Sequence, residues 1–147
     1  MDLGIKGKVA LVTGGSRGLG RQSALALAAE GVNVAICARG EGILNQTADE
    51  LKSTGVKVGA FVADLGDESG AADLVAKTEA ELGPIDILVN NVGGSLGTSD
   101  LVNSSLADFH MVMNANLWSA VALMKHVVPG MQERQWGRVV NISSIFG

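Results

Sequence analysis

The chain reads as an α/β protein built on a doubly wound parallel sheet. Three observations predict this class. Short apolar runs rich in β-branched residues alternate with longer stretches of helical character. The short runs are apolar nearly throughout, the pattern of strands buried on both faces, which requires helices above and below a parallel sheet. A glycine-rich turn joins the first run to the first helical stretch. Right-handed crossovers then wind the chain outward in both directions.

The elements follow in order. Residues 8–13 (KVALVT) form the first expected strand, and 21–31 the first helix, closed by Gly31 in a left-handed C-cap. A second strand over 33–37 leads to a second helix over 42–55, closed by Gly55. The third strand is 57–64. The third helix, 69–83, carries Leu74, Val75, Thr78 and Leu82 at helical spacing. The fourth strand is 85–91, a long helix runs over 106–132, and the fifth strand is 137–144. Neither an internal repeat nor a linker is visible, so residues 1–147 read as one domain or part of one.

The long helix carries two apolar faces. Met113, Leu117, Val121, Met124, Val128 and Met131 recur at spacings of three and four and form the stripe expected to face the core. Trp118, Ala120, Ala122, Leu123 and Val127 are apolar off that stripe. A helix apolar on nearly all sides is buried on nearly all sides. The expectation is that one side meets the sheet and the other a second subunit, making a homo-oligomer through 106–132.

Bulk properties exclude several classes. Hydrophobic residues are 47% and charged residues 18%, a folding rather than a disordered composition. The net charge of −4, with scattered Lys and Arg, argues against nucleic-acid binding. No apolar run approaches the roughly 18 residues of a membrane span, and the first residues lack signal-peptide character. The one cysteine, Cys37, permits no internal disulfide and fits a cytoplasmic protein; in a strand it reads as an inert core residue. His110 and His126 have no supporting ligand cluster, so no metal site is expected.

The turn TGGSRGLG, Thr13 to Gly20, sits between strand and helix. Glycine there reaches positive φ and lets a phosphate approach, while the helix N-terminus offers free N–H groups and partial positive charge. Gly14, Ser16, Arg17, Gly18, Leu19 and Gly20 are the candidate cofactor contacts of this turn. The spacing is G-x-x-x-G-x-G, and no Gly-Lys-Ser/Thr follows, so it is not a nucleoside-triphosphate loop.

With these residues the sequence resembles the short-chain dehydrogenases/reductases, and its pattern is most similar to the 3-oxoacyl-carrier-protein reductase branch. The turn resembles the family's Thr-Gly-x-x-x-Gly-x-Gly signature. NNVGG (Asn90 to Gly94) resembles its Asn-Asn-Ala-Gly motif, with Val92 in place of alanine, and makes Asn91 and Gly93 cofactor candidates. MNANLWS resembles the helix segment bearing the active-site asparagine, here Asn116. GRVVNISSIFG resembles the fifth strand and serine loop, with the catalytic serine at Ser144 and Ser143 as its neighbour. The resemblance implies a Rossmann fold with five of the usual seven strands present. It also implies that Asp64 bonds the adenine amino group with help from the Leu65 backbone, although an Asp here can equally cap its own loop.

In this fold an acid after the second strand holds the ribose of NAD. Here Ala38 occupies that position, Arg39 follows, and Arg17 lies in the glycine turn. Two guanidinium groups suit a 2′-phosphate, each charge-assisted bond contributing about 1.5–3 kcal/mol. The expected cofactor is NADP(H); the alternative is that Arg39 is a solvated surface charge.

The resemblance implies hydride transfer between NADP(H) and a carbonyl or alcohol carbon of a small molecule. A tyrosine gives the proton, a lysine one turn later assists it, Ser144 orients the substrate oxygen, and Asn116 supports a water relay. The sequence contains no tyrosine. The expectation is therefore an NADP-binding domain truncated before the Tyr-x-x-x-Lys helix, binding nucleotide but inactive alone. Of the substrate-covering parts, this half supplies only the loop 94–100. Two other readings remain: a non-catalytic nucleotide-binding or regulatory protein, and, ranked last, an S-adenosylmethionine-dependent methyltransferase, which would want an acid after the second strand.

Overall fold

A computed structural model describes residues 1–66, 68–97 and 100–144. Thr98 and Ser99 of the expected substrate loop, and the last three residues of the serine segment, lie outside them.

Five strands form one sheet: β1 (Val9–Thr13), β2 (Asn33–Ala38), β3 (Val58–Val62), β4 (Ile87–Asn90) and β5 (Arg138–Asn141). Their order is β3-β2-β1-β4-β5 and every pairing is parallel. Helices α1 (Gly18–Ala29), α2 (Glu41–Lys52), α3 (Glu68–Leu82), α4 (Leu106–Met113) and α5 (Ser119–Glu133) connect them. The winding direction reverses between β1 and β4, which opens a crevice at their carboxyl ends.

The sheet divides the core in two, and the pleat decides which residue goes where. Ala10, Val12, Val34, Ile36, Ile87 and Val89 face α1 and α2, packing on Ala24, Ala28, Leu44, Ala48 and Leu51. The alternate residues Leu11, Ala35, Cys37 and Leu88 face α3 and α5, against Leu74, Val75, Leu123, Val127 and Met131. Both sides of β1, β2 and β4 are thus buried, as their unbroken apolar runs require. Gly31 and Gly55 take φ of 78° and 88°, the conformation expected beyond the first two helices.

Three features differ from the sequence reading. First, α1 begins at Gly18, three residues before the expected start, so the glycine turn runs straight into helix. Second, the long helix is interrupted by a π-helical turn over Asn114–Trp118. Such turns insert an extra residue and recur at functional sites.

Third, the core-facing stripe is only in part the expected one. The buried positions of α5 are Ser119, Leu123, Val127 and Met131, while Met113 and Leu117 are exposed. Both faces carry apolar residues at helical spacing, so periodicity did not distinguish them. Packing on α3 takes Leu123 and Val127, which lie off the expected stripe, together with Met131, which lies on it.

β5 leaves the open, apolar sheet edge that is expected of the fifth strand when none pairs beyond it. It lies at the sheet edge, and all four of its residues are exposed. Its amino end is held by Trp136, whose ring lies under Lys8 Nζ at 4.3 Å and Arg138 Cζ at 4.8 Å. Asp86 nearby accepts from the Val9 N–H at 3.1 Å, and Arg134 donates to the Ile85 carbonyl at 2.8 Å.

Candidate functional site

The carboxyl ends of β1 and β4 are joined by one hydroxyl. Buried Thr13 accepts from the N–H groups of Asn91 (2.9 Å) and Val92 (3.1 Å), and donates to the Val89 carbonyl (3.3 Å). The Asn91 amide donates back to the carbonyls of Thr13 (3.1 Å) and Gly14 (3.3 Å). Asn91 therefore shapes the glycine turn from behind as well as lining the cleft in front of it.

The glycines of the turn have separate reasons. Gly14 has φ 62° with the Asn91 amide packed against it, so a side chain would be both strained and blocked. At Gly20 a Cβ would run into the Gly14 carbonyl, so only glycine lets α1 start this close to β1. Gly18, Leu19 and Gly20 form the first turn of α1, whose N–H groups have no acceptor within the helix. Arg17 is the N-cap and gives no side-chain cap. Two further bonds hold the turn: Gly15 N–H to the Cys37 carbonyl at 3.0 Å, and the Thr47 hydroxyl to the Ser16 carbonyl at 2.9 Å.

In front of the turn lies a cleft of about 1040 Å³. It brings together Gly14, Ser16, Arg17, Arg39, Asp64, Leu65, Asn91 and Gly93 of the sequence-predicted set. Gly18, Leu19 and Gly20 do not line it. Arg17 and Arg39 are exposed on its wall, and among the described residues neither is ion-paired. Asp64 Oδ1 accepts from the Gly66 N–H at 2.9 Å, so the carboxylate does cap its own loop while lining the cleft. The Leu65 side chain is in the core, which leaves its backbone to face the cleft. Cys37 forms part of the floor yet is 1% exposed. Burial pushes its thiol up to about 11.

Neither Asn116 nor Ser144 lines this cleft. Asn116 sits in the π-helical turn and is bonded on three sides. Its Oδ1 accepts from the Gly94 N–H at 2.9 Å, and its Nδ2 donates to the carbonyls of Gly94 and Val112, each at 2.8 Å. It therefore fixes the loop that continues from cleft residues Asn91 to Gly93. Ser143 and Ser144 are exposed beyond the end of β5. Their loop leaves the sheet beside β4: the Ile142 N–H donates to the Asn90 carbonyl at 2.9 Å, and Asn90 Nδ2 to Asn141 Oδ1 at 2.8 Å.

Several residues escaped the sequence reading. Ala107, His110, Met111, Asn114 and Ala115 form the far wall of the cleft. The sequence pattern marks them only as part of a helix, and their place after the NNVGG loop in chain order is the one signal that points to them. Thr13 falls within the glycine-turn motif, which assigns it no separate task, and Thr47 falls within the second expected helix without any distinguishing signal. Among the described residues no group of His, Cys, Asp and Glu is placed to hold a metal ion, and no helix is long and apolar enough to cross a membrane.

Fold and cleft together define a Rossmann-type, doubly wound domain with its crevice at the β1/β4 switch point. Residues 8–147 match the family model for short chain dehydrogenase, and the chain belongs to that family. It is 39% identical over 143 residues to a ketoacyl reductase, HetN, of Nostoc sp. strain PCC 7120, covering 97% of this chain and 50% of that one. L-sorbose reductase from Gluconobacter frateurii, solved with NADPH and L-sorbose, superposes with a TM-score of 0.93 at 32% identity, over 99% of this chain and 55% of that one. An NAD⁺-bound xylitol dehydrogenase superposes with a TM-score of 0.90 at 30% identity, over 97% and 55%. The chain spans about half the length of the curated relatives it matches.

Two predictions follow from the geometry of the turn. Thr13→Val keeps the shape but leaves two N–H groups unpaired. It should cost about 2–4 kcal/mol in urea unfolding, with Thr13→Ser retaining most of the stability. For Cys37, a raised folded-state pKa means stability is full below the ordinary thiol value of 9.0 and falls as pH rises toward about 11. The loss should be on the order of 2–3 kcal/mol across that window, and Cys37→Ala should remove that component of the slope.

Proposed function

We propose that the protein is an oxidoreductase that moves a hydride between NADP(H) and the carbonyl or alcohol carbon of a small organic molecule. The observation that carries the cofactor reading is that Arg17 and Arg39 both line the cleft, with Ala38 where an NAD-type acid would stand. The cofactor fits the residues present. Gly14 and Gly20 clear the turn, the first turn of α1 would supply N–H groups to a pyrophosphate, and Arg17 and Arg39 would hold a 2′-phosphate. Asp64 and the Leu65 backbone would address the adenine, and Asn91 and Gly93 the nicotinamide end.

When bound, the nicotinamide gives or takes the hydride. The rest is the work of the protein. Negative charge grows on the substrate oxygen during reduction and needs donors already in place. Ser144 is the proposed donor that orients this oxygen. Asn116 has both Nδ2 hydrogens committed to carbonyls, so its proposed part is to hold the Gly94 loop and offer the remaining Oδ1 lone pair to a water. Residues 1–147 contain no tyrosine. On the family resemblance, the proton donor and its lysine belong to a segment beyond these residues, and 1–147 alone would bind nucleotide without turnover. The ketoacyl reductase among the relatives makes a 3-oxoacyl thioester the first substrate to test.

The test is NADPH and NADH titration of the intact protein, followed by NADPH oxidation with a panel of ketones and 3-oxoacyl thioesters. NADPH should bind at least about tenfold more tightly than NADH, and Arg17→Ala or Arg39→Ala should each cost about tenfold or more in NADPH affinity. Equal affinities would defeat the cofactor assignment. Binding with no turnover across the panel would favour a regulatory nucleotide binder.

We also propose a homo-oligomer. Leu106, Phe109, Met113 and Leu117 are all exposed and recur at spacings of three and four through α4 and the π-helical turn, with Trp118 beside them. Light scattering of the intact protein should give a dimer or larger, reduced to monomer by Leu117→Glu. A monomeric wild type would remove the proposal.

A further inference from the structure

We propose that Thr47, on α2, is a positioning residue for nucleotide selection: its hydroxyl fixes the Ser16–Arg17 peptide and so aims Arg17 alongside Arg39. The inference rests on the reading of these two arginines as the 2′-phosphate pair.

Helix hydroxyls commonly bond the carbonyl four residues back on their own helix. Thr78 does so to Leu74, and Ser119 to Ala115, each at 2.8 Å. Thr47 does not. Buried to 2% exposure, it reaches out of α2 to the Ser16 carbonyl. Three residues further along, Glu50 takes two bonds from Arg21 of α1, both at 2.8 Å. Residues three apart share a helix side, so α2 grips the glycine turn and α1 at two neighbouring points.

The consequence lies in where the arginines are attached. Arg39 is joined to α2 by the single N-cap residue Gly40. Arg17 follows directly on the peptide that Thr47 holds. Its backbone is extended, with φ −158° and ψ 174°, so the orientation of the preceding peptide sets the direction of its side chain. Both guanidinium groups are thereby referred to one rigid element. Without the hydroxyl, the buried Ser16 carbonyl loses its donor, the peptide turns to find another, and Arg17 turns with it. The phosphate-binding N–H groups of the first turn of α1 remain in place, because Gly15, Asn91 and Arg21 still hold that region.

The test uses the intact protein. Thr47→Val keeps the shape and removes the donor, and Thr47→Ser keeps the donor. Dissociation constants for NADPH and NADH are measured by calorimetry, with a thermal melt to confirm folding. Thr47→Val should weaken NADPH about three- to tenfold and NADH by less than about twofold. Thr47→Ser should restore the wild-type ratio. In an Arg17→Ala background, Thr47→Val should add no further loss. A folded Thr47→Val protein with an unchanged ratio, or with equal losses for both nucleotides, overturns the proposal. If Thr47→Val does not fold, Thr47→Ala against Thr47→Ser decides, and identical ratios in the two overturn it. A wild type that does not discriminate, or an Arg17→Ala protein that discriminates as well as wild type, sinks the 2′-phosphate reading instead.

Discussion

The site depends on one buried hydroxyl. Thr13 ends β1, and its Oγ1 bonds three backbone groups at the end of β4. In a parallel sheet these two strand ends have no ladder partner beyond their last residues, so a side chain must supply the tie. With it in place, the Asn91 amide reaches the Thr13 and Gly14 carbonyls, and Gly20 packs where any larger residue would strike Gly14. The crevice at the switch point is therefore a consequence of close backbone approach that a hydroxyl, an amide and two glycines make possible together.

Much of this was legible from sequence, for identifiable reasons. The strands β1, β2 and β4 announced themselves because burial on both faces leaves no place for polar residues. The glycine turn was legible because of its position between strand and helix, and Arg17 and Arg39 drew notice because Ala38 stands where an acid is otherwise wanted. The helix starting at Leu106 was placed correctly, and the Ser105–Asp108 capping box accounts for its start.

The rest was not written in local pattern. Through the π-helical turn and α5 both faces are apolar, so only the position of α3 could choose Leu123 over Leu117 for the core. Thr47 carried no signal at all: its bond partner is 31 residues away, and a threonine in a helix otherwise reads as a modest helix former. Asn116 was picked out by resemblance, but its three bonds to Gly94 and Val112 give it a scaffolding task that the motif did not disclose.

The two tryptophans occupy unlike surroundings, and this divides the optical signature of the molecule. Trp136 is half-buried between two cations at the amino-terminal end of the sheet. Trp118 is 54% exposed in the π-helical turn. With no tyrosine in the sequence, the indoles alone account for emission excited in their band. Fraying of the edge strand would strip Trp136 of its flanking charges and leave Trp118 unaltered. Contact at the helical face would do the reverse. The intrinsic fluorescence of this chain thus separates loss of order at one pole from association at another without any added label.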